Sequence, residues 1–575
     1  MPVPSLIQAA VLVVLLAAVA PLLGGYMARV FSGERTFLDP VAKPVETFVY
    51  GLCRVDARRE MRWATYLLTV LLFNAVGFVI LFLILVLQGF LPLNPQHVPG
   101  MRWDLAFNTA ASFVTNTNLQ NYAGERGVSY LTQMLGLTWQ NFVSAATGAA
   151  VAVALVRGLT RHESKEIGNF WVDLTRSLLY VLLPISIVLA LVLLAQGVIQ
   201  SLSPNLVATT LEGARQAIPM GPVASQEAIK MLGVNGGGFF NANSAHPFEN
   251  PTPLTNLIEM LAVLSIPASF TYLFGKYAKN QRQGWVLFTA MLLLLLAGFG
   301  VMFASERAGN PILTRAGADQ VASATSPGGN MEGKEARFGV GGSTLFGEMT
   351  TAASCGAVNS TFDSYTPLGG LIAMLNIQLG EIIFGGVGAG LIGMLIFALL
   401  AVFIAGLMVG RTPEYLGKKI EGNEMKMAMV AVLVLASSIL AFSAIASVTS
   451  WGLAGRLNLG PHGLSEILYY YSSASGNNGS AFAGYNADSP LPNLTGGIAM
   501  LLGRFLYLVP VMAIAGSMAA KKVTPPSAGT FPTTGALFVG LLIGVILIVG
   551  ALTFFPVYAL GPIVEQLLMQ AGRLF

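Results

Sequence analysis

Charged residues, cysteine and histidine are all scarce in this 575-residue sequence. Charged residues make up 10% of the chain, against about 25% in a typical soluble domain. By contrast, 54% of the residues are hydrophobic and the mean hydropathy is +0.68. The two cysteines, Cys53 and Cys355, exclude a disulfide framework, and the four histidines lack the spacing of zinc ligands. The composition therefore excludes a soluble globular protein and predicts a polytopic membrane protein.

Sequence signals for ATP chemistry are also missing. The chain contains neither the phosphate-binding motif GxxxxGK(S/T) nor a DKTGT phosphorylation motif. We therefore expect no catalytic ATPase site in this chain.

Ten apolar runs of about 20 residues predict membrane-spanning helices, because a helix of that length crosses the hydrocarbon core of a bilayer. The first run is too long for the apolar core of a signal peptide, so we expect it to be retained. The predicted fold class is an all-α polytopic membrane protein with about ten transmembrane helices. The runs cover residues 3–25, 63–91, 130–157, 173–200, 254–275, 283–304, 370–409, 427–449, 495–520 and 534–556.

The seventh run, 370–409, is too long for a single span and contains QLGEIIFGGVGAG at 378–390. Glycine weakens a helix, and a carboxylate such as that of Glu381 requires polar surroundings within a membrane. We therefore expect a helix that is broken near Glu381. We also expect a functional role for this carboxylate, and capping of a helix end at the break is the structural alternative.

Basic residues are concentrated in alternate loops. Of the 31 Lys and Arg residues, 20 lie in or beside the loops that follow the first, third, fifth, seventh and ninth runs. Because positive residues are retained on the cytoplasmic side, we expect both termini to face the outside. The basic stretch CRVDARREMR at 53–62 either reflects this topology or binds anionic lipid or a partner protein.

The four long loops on the other side end in similar passages. Each passage places about ten helix-compatible residues before a run of small and amide residues. The passages read FNTAASFVTNTNLQNYAGE at 107–125, SQEAIKMLGVNGGGFFNAN at 225–243, STLFGEMTTAASCGAVNST at 343–361 and LSEILYYYSSASGNNGSAFAG at 464–484. With Asn116, Gly236, Gly356 and Gly479 as equivalent positions, the separations are 120, 120 and 123 residues. This near-constant period predicts an internal repeat.

The repeat predicts four units of helix, pore loop and helix, with one extra helix at each end of the chain. The expected segments are 1–62 for the first helix and its basic loop, 63–172, 173–282, 283–426 and 427–533 for the four pore repeats, and 534–575 for the last helix. The third repeat contains the broken helix.

The short helix-like segments predict pore loops, since ten residues can enter the hydrocarbon core and return but cannot cross it. An extended strand after each segment can turn carbonyl oxygens toward a common axis, where they replace the water shell of a monovalent cation. No acidic residue lies in VTNTNLQ, VNGGGFF, ASCGAVN or SGNNGSA, whereas Ca²⁺ and Mg²⁺ sites usually recruit carboxylates. The passages therefore favour K⁺, with Na⁺ and NH₄⁺ left open, and the alternative is that glycine and asparagine only mark turns.

The same passages resemble a known family over essentially the whole chain. TNTNLQNYAGE, NGGGFFNANSAHPFENPTP, TTAASCGAVNS, SASGNNGSAFAG and RTPEYLGKKIE at 411–421 are similar to the potassium-binding A chain of the bacterial Kdp potassium-transporting ATPase. The resemblance implies K⁺ as the bound ion and a location in the bacterial cytoplasmic (inner) membrane. It also implies a complex with the other Kdp components, namely the B component, which is the catalytic P-type ATPase, the C component and the small F component. Membrane lipid is the other expected partner, and no nucleic acid is expected.

The resemblance also implies roles for individual residues. Gln120 is similar to a position that influences K⁺ affinity. The broken helix, with Gly380, Glu381, Gly385 and Gly386, would block direct passage and shape the mouth of a tunnel toward the catalytic ATPase. The implied K⁺ filter comprises Asn116, Thr117, Asn118, Asn235, Gly236, Gly237, Ser354, Cys355, Gly356, Asn477, Asn478 and Gly479.

Two other functions stay open at this level. A passive K⁺ channel or symporter of the same superfamily would also suit a broken helix. An intramembrane hydrolase would use Cys355 or His246, but the sequence supplies no obvious base for such a nucleophile. We expect Cys355 to contribute its carbonyl oxygen and His246 to brace its loop. We expect Arg504, within the ninth run, to partner a carboxylate or unpaired carbonyls, or to form a barrier.

Overall fold

The computed structural model describes residues 3–323, 326–408, 410–525 and 530–573, with the side chains of residues 3 and 4 left aside. Within these ranges the chain is predominantly helical. In chain order the α-helices are α1 (Val3–Ser32), α2 (Asp39–Cys53), α3 (Trp63–Leu87), α4 (Trp103–Val114), α5 (Gly124–Gly127), α6 (Trp139–Thr160), α7 (Phe170–Arg176), α8 (Leu183–Ala195), α9 (Val223–Leu232), α10 (Pro253–Tyr277), α11 (Gln281–Ala308), α12 (Pro311–Arg315), α13 (Gly339–Ala352), α14 (Pro367–Gln378), α15 (Ala389–Met408), α16 (Gly422–Val448), α17 (Ser450–Leu453), α18 (Gly460–Gly476), α19 (Pro490–Leu501), α20 (Tyr507–Ala520), α21 (Ala536–Tyr558) and α22 (Val564–Gln570).

Shorter elements complete the chain. Four π-helical turns, Thr132–Thr138, Ser177–Leu182, Leu502–Leu506 and Ala559–Ile563, continue or join α-helices, and 3₁₀ turns lie at Gln88–Phe90, Asn243–Ala245 and Phe362–Ser364. Strand β1 (Leu206–Thr209) pairs antiparallel with β2 (Arg215–Ile218), and β3 (Glu414–Tyr415) pairs antiparallel with β4 (Lys418–Lys419). These hairpins lie in loops and belong to no larger sheet among the described residues.

Ten segments of the described chain are long and apolar enough to cross a membrane, which confirms the predicted number. The first, sixth and tenth spans extend further toward the C-terminus than the sequence predicted. Polar residues, glycine and proline interrupt the apolar pattern in these three spans before the spans themselves end. The ten spans are Ser5–Ser32, Trp63–Phe90, Thr132–Thr160, Phe170–Ala195, Pro253–Tyr277, Gln281–Arg315, Ala389–Met408, Gly422–Val448, Pro490–Ala520 and Ala536–Gln570.

The predicted break in the seventh run is present. Helix α14 ends at Gln378, α15 begins at Ala389, and residues 379–388 between them are not helical. Gly380 and Gly388 have φ values of 90° and 94°, which glycine adopts without strain, whereas Glu381 at 52° is a non-glycine residue held in the left-handed region. The glycines therefore permit the break, and the surrounding structure fixes Glu381 within it.

Four short helices, α4, α9, α13 and α18, are almost completely buried. Each packs against a helix that precedes it and a helix that follows it in sequence: α4 against α3 and α6, α9 against α8 and α10, α13 against α11 and α14, and α18 against α16 and α19. The structure therefore contains four units of helix, short helix and helix, as the sequence predicted.

Small residues allow the inner spans to approach closely. In the third span 94% of the most apolar window is buried, against 22% for the first and second spans. A Cβ atom at Gly158 of α6 would lie 2.6 Å from the Cα of Ala515 of α20, so this contact requires glycine. Helix α6 is thus a central element, whereas α1 and α3 lie at the periphery.

The basic loops meet in one layer, which we call the basic face (33–62, 161–169, 278–280, 410–421, 521–525 and 530–535). The amide of Met61 donates to the carbonyl of Gly168 at 2.7 Å, and the amide of Glu163 donates to the carbonyl of Lys521 at 3.2 Å. The buried ammonium of Lys418 donates to the carbonyls of Met518 at 2.8 Å and Arg161. The four long loops lie at the other end of the spans, and we call that end the loop face.

Candidate functional site

Each of the four short helices is followed within two residues by a non-glycine residue with left-handed backbone. These residues are Asn116 (φ 66°), Val234 (52°), Ser354 (59°) and Asn477 (63°). The same backbone turn therefore ends all four helices and starts the passages that we call the first (115–120), second (233–238), third (353–358) and fourth (476–481).

The register of the repeat follows from these turns. Asn116 is equivalent to Val234, 118 residues away, and donates a hydrogen bond to its carbonyl oxygen at 3.2 Å. The partner of Gly236 (φ 86°) is therefore Asn118 (φ 56°), so the sequence alignment of Asn116 with Gly236 is two residues out of register. Asparagine tolerates left-handed backbone better than most residues, and here it replaces the glycine that marks the position elsewhere.

The four passages contact one another in a closed cycle. Side-chain amide groups join the second passage to the first and the fourth to the first. The third passage donates a backbone amide to the second passage and a serine hydroxyl to a backbone carbonyl of the fourth. The contacts are Asn235 Nδ2 to Asn116 Oδ1 at 2.5 Å, Gly356 N to Asn235 O at 3.4 Å, Ser354 Oγ to Asn477 O at 3.3 Å and Asn477 Nδ2 to Thr117 Oγ1 at 2.9 Å. The predicted residues are thus brought together from four distant parts of the chain.

Glycine is required where the passages approach most closely. A Cβ atom at Gly479 would overlap the carbonyl oxygen of Thr117, and one at Gly236 would overlap the amide nitrogen of Gly356. At Gly237 it would lie 2.7 Å from the Cβ of Asn118. The backbones of the four passages therefore face one another with no side chain between them at these positions.

Many carbonyl oxygens in this cycle accept no hydrogen bond from the part of the chain that the structure describes. Among the twelve predicted filter residues, the carbonyls of Asn235, Gly236, Cys355 and Asn477 accept from the Gly356 amide, Asn243, Thr350 and Ser354, respectively. The other eight accept from no described residue, although all belong to buried residues. Buried backbone carbonyls are nearly always paired, so such a concentration of unpaired acceptors indicates a cation-binding environment.

The electrostatics of the cycle favour a cation in a second way. Helices α4, α9, α13 and α18 all end at the cycle, so their C-terminal, partially negative ends are directed toward it. The passages contain no carboxylate of their own. The negative potential therefore comes from peptide dipoles, which suits a weakly hydrated monovalent ion better than a divalent one.

Gln120 links the first passage to the second. Its Nε2 donates to the carbonyl of Gly238 at 3.1 Å, and its Oε1 accepts from the amide of the same residue at 3.1 Å. The side chain is half-buried and faces a cavity that opens on the loop face. Gln120 is therefore placed to set the spacing of two passages at their loop-face end.

The broken helix lies behind the third passage. The amide of Gly386 donates to the carbonyl of Ala353 at 2.7 Å, and a Cβ atom at Gly385 would overlap the carbonyl oxygen of Glu381. The Glu381 carboxylate lies beside Ser354 and Asn478, and its Oε1 has no hydrogen-bond partner among the described residues. The break therefore places one buried carboxylate directly behind the cycle.

A cavity of about 100 Å³ begins at this carboxylate. Glu381 and Arg504 both line it, and the two side chains interact electrostatically without forming a direct ion pair. The cavity continues between the break and helices α16, α20 and α21, where Ala431 and Val549 line it. It therefore extends from the cycle toward these three helices.

The structure bears on two residues that an intramembrane hydrolase would use, His246 and Cys355. His246 stacks on Phe240 with ring centroids 3.7 Å apart, and its Nδ1 accepts from the amide of Phe248 at 3.1 Å, which supports a bracing role. Cys355 is completely buried beside Thr350. A buried thiol of this kind has no access for a substrate.

Sequence reasoning missed a buried ionic cluster beside the second passage. Lys230 of α9 lies 2.9 Å from Glu227 and 2.6 Å from Glu249, and all three side chains are fully buried. Glu249 also accepts from the amide of Phe240 at 2.8 Å. The ion pair between Lys230 and Glu249 therefore links helix α9, which precedes the second passage, to the segment that follows that passage. A lysine in the short helix-like segment before the second passage was the signal available in the sequence.

The family model and the curated relatives that match this chain point to the same protein family. The family model described as "Potassium-transporting ATPase A subunit" matches residues 10–567. A potassium-transporting ATPase potassium-binding subunit from Solibacter usitatus (strain Ellin6076) is 60% identical over 559 residues, covering 97% of this chain and 97% of the relative. The subunit of the same name from Brucella anthropi is 60% identical over 553 residues, covering 96% of each chain.

A solved structure shares the fold. The potassium transporter TrkH from Vibrio parahaemolyticus superposes with a TM-score of 0.52 at 16% sequence identity, covering 89% of this chain and 98% of that one. At this identity the likeness concerns the arrangement of helices and pore loops. Together with the ten spans it identifies a multi-pass membrane protein of helix–pore loop–helix architecture.

Proposed function

Because this chain belongs to the family of potassium-transporting ATPase A subunits, we propose that it binds K⁺ and passes it on within an ATP-driven uptake complex. The observation that carries the proposal is a set of eight carbonyl oxygens of buried residues, gathered where four passages meet, that accept no hydrogen bond from any described residue. Oxygens of this kind replace the hydration shell of K⁺.

The proposed filter comprises the twelve residues of the cycle. Thr117, Gly356 and Gly479 supply unpaired carbonyl oxygens where the passages approach most closely. Cys355 contributes its backbone to the wall of the filter. Paired carbonyls, such as that of Gly236, fix the shape of the cage. Gln120 would tune the affinity for K⁺ through its two bonds to Gly238.

We place the loop face outside and the basic face in the cytoplasm of a bacterial inner membrane, with both termini outside. The concentration of Lys and Arg on the basic face supports this orientation. K⁺ would then enter through the cavity that Gln120 faces. The same proposal treats 63–172, 173–282, 283–426 and 427–533 as pore repeats between the terminal segments 1–62 and 534–575.

The ion would leave the filter sideways. The break with Gly380, Glu381, Gly385 and Gly386 lies directly beneath the cycle and obstructs a straight path. The lateral cavity offers Glu381 as a temporary partner and Arg504 as a positive barrier at its wall. The catalytic P-type ATPase, which is the B component of the Kdp complex, would receive the ion, and the C component and the small F component would complete the complex.

Copurification tests this function. The tagged chain is purified from its native membrane in mild detergent, and ATP hydrolysis is measured against K⁺ and Na⁺ concentration. We expect an ATPase to copurify and its activity to rise with K⁺ but not with Na⁺. Hydrolysis that is indifferent to K⁺ would contradict the proposal. Uptake of K⁺ into liposomes by this chain alone would favour a passive channel or symporter.

A further inference from the structure

Helix α2 (Asp39–Cys53) lies on the basic face between the first two spans, where the sequence predicted only a basic loop. Pro40 stands in its first turn, and Arg54 ends it with left-handed backbone at φ 54°. With 15 residues the helix is too short to cross a membrane. The helix therefore does not span the membrane, and it lies at the end of the spans.

One face of α2 is apolar and exposed. The exposed fractions are 74% for Val41, 69% for Phe48 and 72% for Leu52, with Val45 on the same face at 44%. Steps of three and four residues place these side chains in one stripe along the helix. A contiguous apolar stripe is unfavourable in water, so this face requires an apolar environment.

The opposite face of α2 is fastened to the protein by one buried carboxylate. Glu46 accepts from Arg176 Nε at 3.0 Å and from the hydroxyl of Tyr180 at 2.9 Å. The hydroxyl of Tyr50, one turn further along α2, donates to Glu46 at 2.9 Å. These bonds fix the rotation of the helix, and the apolar stripe consequently points away from the protein.

The same bonds fix the depth of the helix. Arg176 and Tyr180 belong to the fourth span, which begins at Phe170 on the basic face. At a rise of 1.5 Å per residue they lie about 9 to 15 Å along the span from its start. Helix α2 therefore lies level with the end of the membrane-spanning region, where polar headgroups meet acyl chains.

Unpaired positive charge adjoins the stripe. Arg54, Arg58 and Arg59 are exposed and form no ion pair with any residue that the structure describes. Exposed Lys43 lies on the helix itself, 3.8 Å from the Glu46 carboxylate. The flanking spans α1 and α3 expose most of their apolar windows, so the stripe continues the surface that the spans present to lipid. Apolar side chains beside clustered arginines complement an anionic leaflet better than a protein surface.

We propose that α2 lies in the membrane interface of the basic face, with Val41, Phe48 and Leu52 among the acyl chains. Arg54, Arg58 and Arg59 bind the phosphate groups of anionic lipid. This segment holds the basic face at a fixed depth and enriches anionic lipid around it. The proposal concerns the surroundings of α2 and does not depend on the proposed transport function.

Cys53 permits a direct test, because it is exposed at the end of α2 whereas Cys355 is fully buried. The purified complex is labelled at Cys53 with an environment-sensitive fluorophore and reconstituted into phosphatidylcholine vesicles containing phosphatidylglycerol. Lipids carrying a nitroxide near the headgroup should quench the label, and aqueous iodide should not. The control is Leu211→Cys in a Cys53→Ser background, which places the label in the exposed β1–β2 turn, where iodide should quench it.

The arginines are tested by energy transfer from the Cys53 label to fluorescent phosphatidylglycerol or phosphatidylcholine. We expect preferential transfer to the anionic lipid, falling about fivefold for each arginine that is removed. In the variant Arg54→Gln, Arg58→Gln, Arg59→Gln the two lipids should become equivalent. Quenching by iodide, equal transfer in the unchanged protein, or a label shielded from both lipid and water by another subunit would overturn the proposal.

Discussion

Gly479 lies so close to the carbonyl oxygen of Thr117 that a Cβ atom at position 479 would overlap this oxygen. The two residues come from the fourth and first passages, at opposite ends of the repeat. Gly479 also has a φ of 93°, which disfavours any side chain on steric grounds alone. The contact closes the cycle of four passages, and the arrangement of the unpaired carbonyls depends on it.

Replacement of this glycine should weaken K⁺ binding. In Gly479→Ala the new methyl group displaces the first passage, and we expect the K⁺ concentration for half-maximal ATPase activity to rise at least about tenfold, equivalent to about 1.4 kcal/mol. Gly540→Ala is the matched control, because a Cβ atom there meets no atom within 4 Å. An unchanged apparent K⁺ affinity in Gly479→Ala would remove this glycine from the filter.

Gln120 should control affinity through its paired bonds to Gly238. Gln120→Leu keeps the volume of the side chain but removes both hydrogen bonds, each of which contributes about 1 kcal/mol. We expect a roughly tenfold loss of apparent K⁺ affinity with little change in maximal turnover. Gln570→Leu, at an exposed position, serves as the control. A variant that lost turnover at unchanged affinity would show that Gln120 acts on a later step.

Glu381 should matter more for transport than for binding. In Glu381→Ala the filter keeps its carbonyls, but the lateral cavity loses its carboxylate. We therefore expect equilibrium Rb⁺ binding within about threefold of the unchanged protein and turnover reduced by at least about tenfold. Both are measured on the same purified complex. Normal turnover would confine Glu381 to a structural role at the break.

Lys230 should be essential for stability. Removal of one partner from a buried ionic cluster leaves the remaining charges uncompensated and costs about 3 to 5 kcal/mol. Lys230→Met should therefore lower the thermal midpoint of the detergent-solubilised protein markedly. The double variant Lys230→Met, Glu249→Gln should recover part of the loss. Equal midpoints for the unchanged and single-variant proteins would show that the cluster contributes no net stability.

His462, at the loop-face start of α18 and outside the ten spans, should make stability depend on pH. Burial alone would lower the pKa of His462, but its hydrogen bonds to Asp363 at 2.9 Å and Glu565 at 2.7 Å and the charges of both carboxylates raise the pKa to about 10. The stabilisation is complete below the ordinary pKa of about 6.5 and is lost as pH rises through about 10.

The measurement is the thermal midpoint of the purified protein between pH 7 and 10.5. We expect the unchanged protein to lose stability toward the upper end and His462→Gln to start lower and vary less with pH. His97→Gln, on an exposed residue of the loop face, should behave like the unchanged protein. Parallel pH profiles for the unchanged protein and His462→Gln would exclude a bridging role of the imidazolium.

Much of the fold could be predicted because it depends on local patterns. Apolar length determines the ten spans, glycine and Glu381 determine the break, and the short segments before the four passages form helices where expected. Helix α2 escaped prediction because its apolar residues are separated by polar ones in a loop that contains many charged residues of both signs. The exposed apolar stripe of α2 can be recognised only in the structure, where the hydrogen bonds of Glu46 fix the rotation of the helix.

The sequence predicted which residues meet at the candidate site, but it did not predict their exact register or their hydrogen-bond partners. Asn118 holds a position that glycine holds in the other passages, so the near-constant spacing that aligned Asn116 with Gly236 gave the wrong register for the first passage. The pairing of Lys230 with Glu249 and the closeness of Arg504 to Glu381 depend on tertiary contacts that no local pattern specifies. Which carbonyls are left unpaired follows from side-chain donors such as Thr350 and Asn243, and these too are known only from the structure.

Anomalous diffraction from crystals of the complex in Rb⁺ tests the central claim most directly. The account predicts an Rb⁺ peak enclosed by the four passages and in contact with the carbonyl oxygens of Thr117, Gly356 and Gly479, which disappears when Na⁺ replaces Rb⁺. A map with no peak among these passages, or with the bound ion held elsewhere in the chain, would contradict the account.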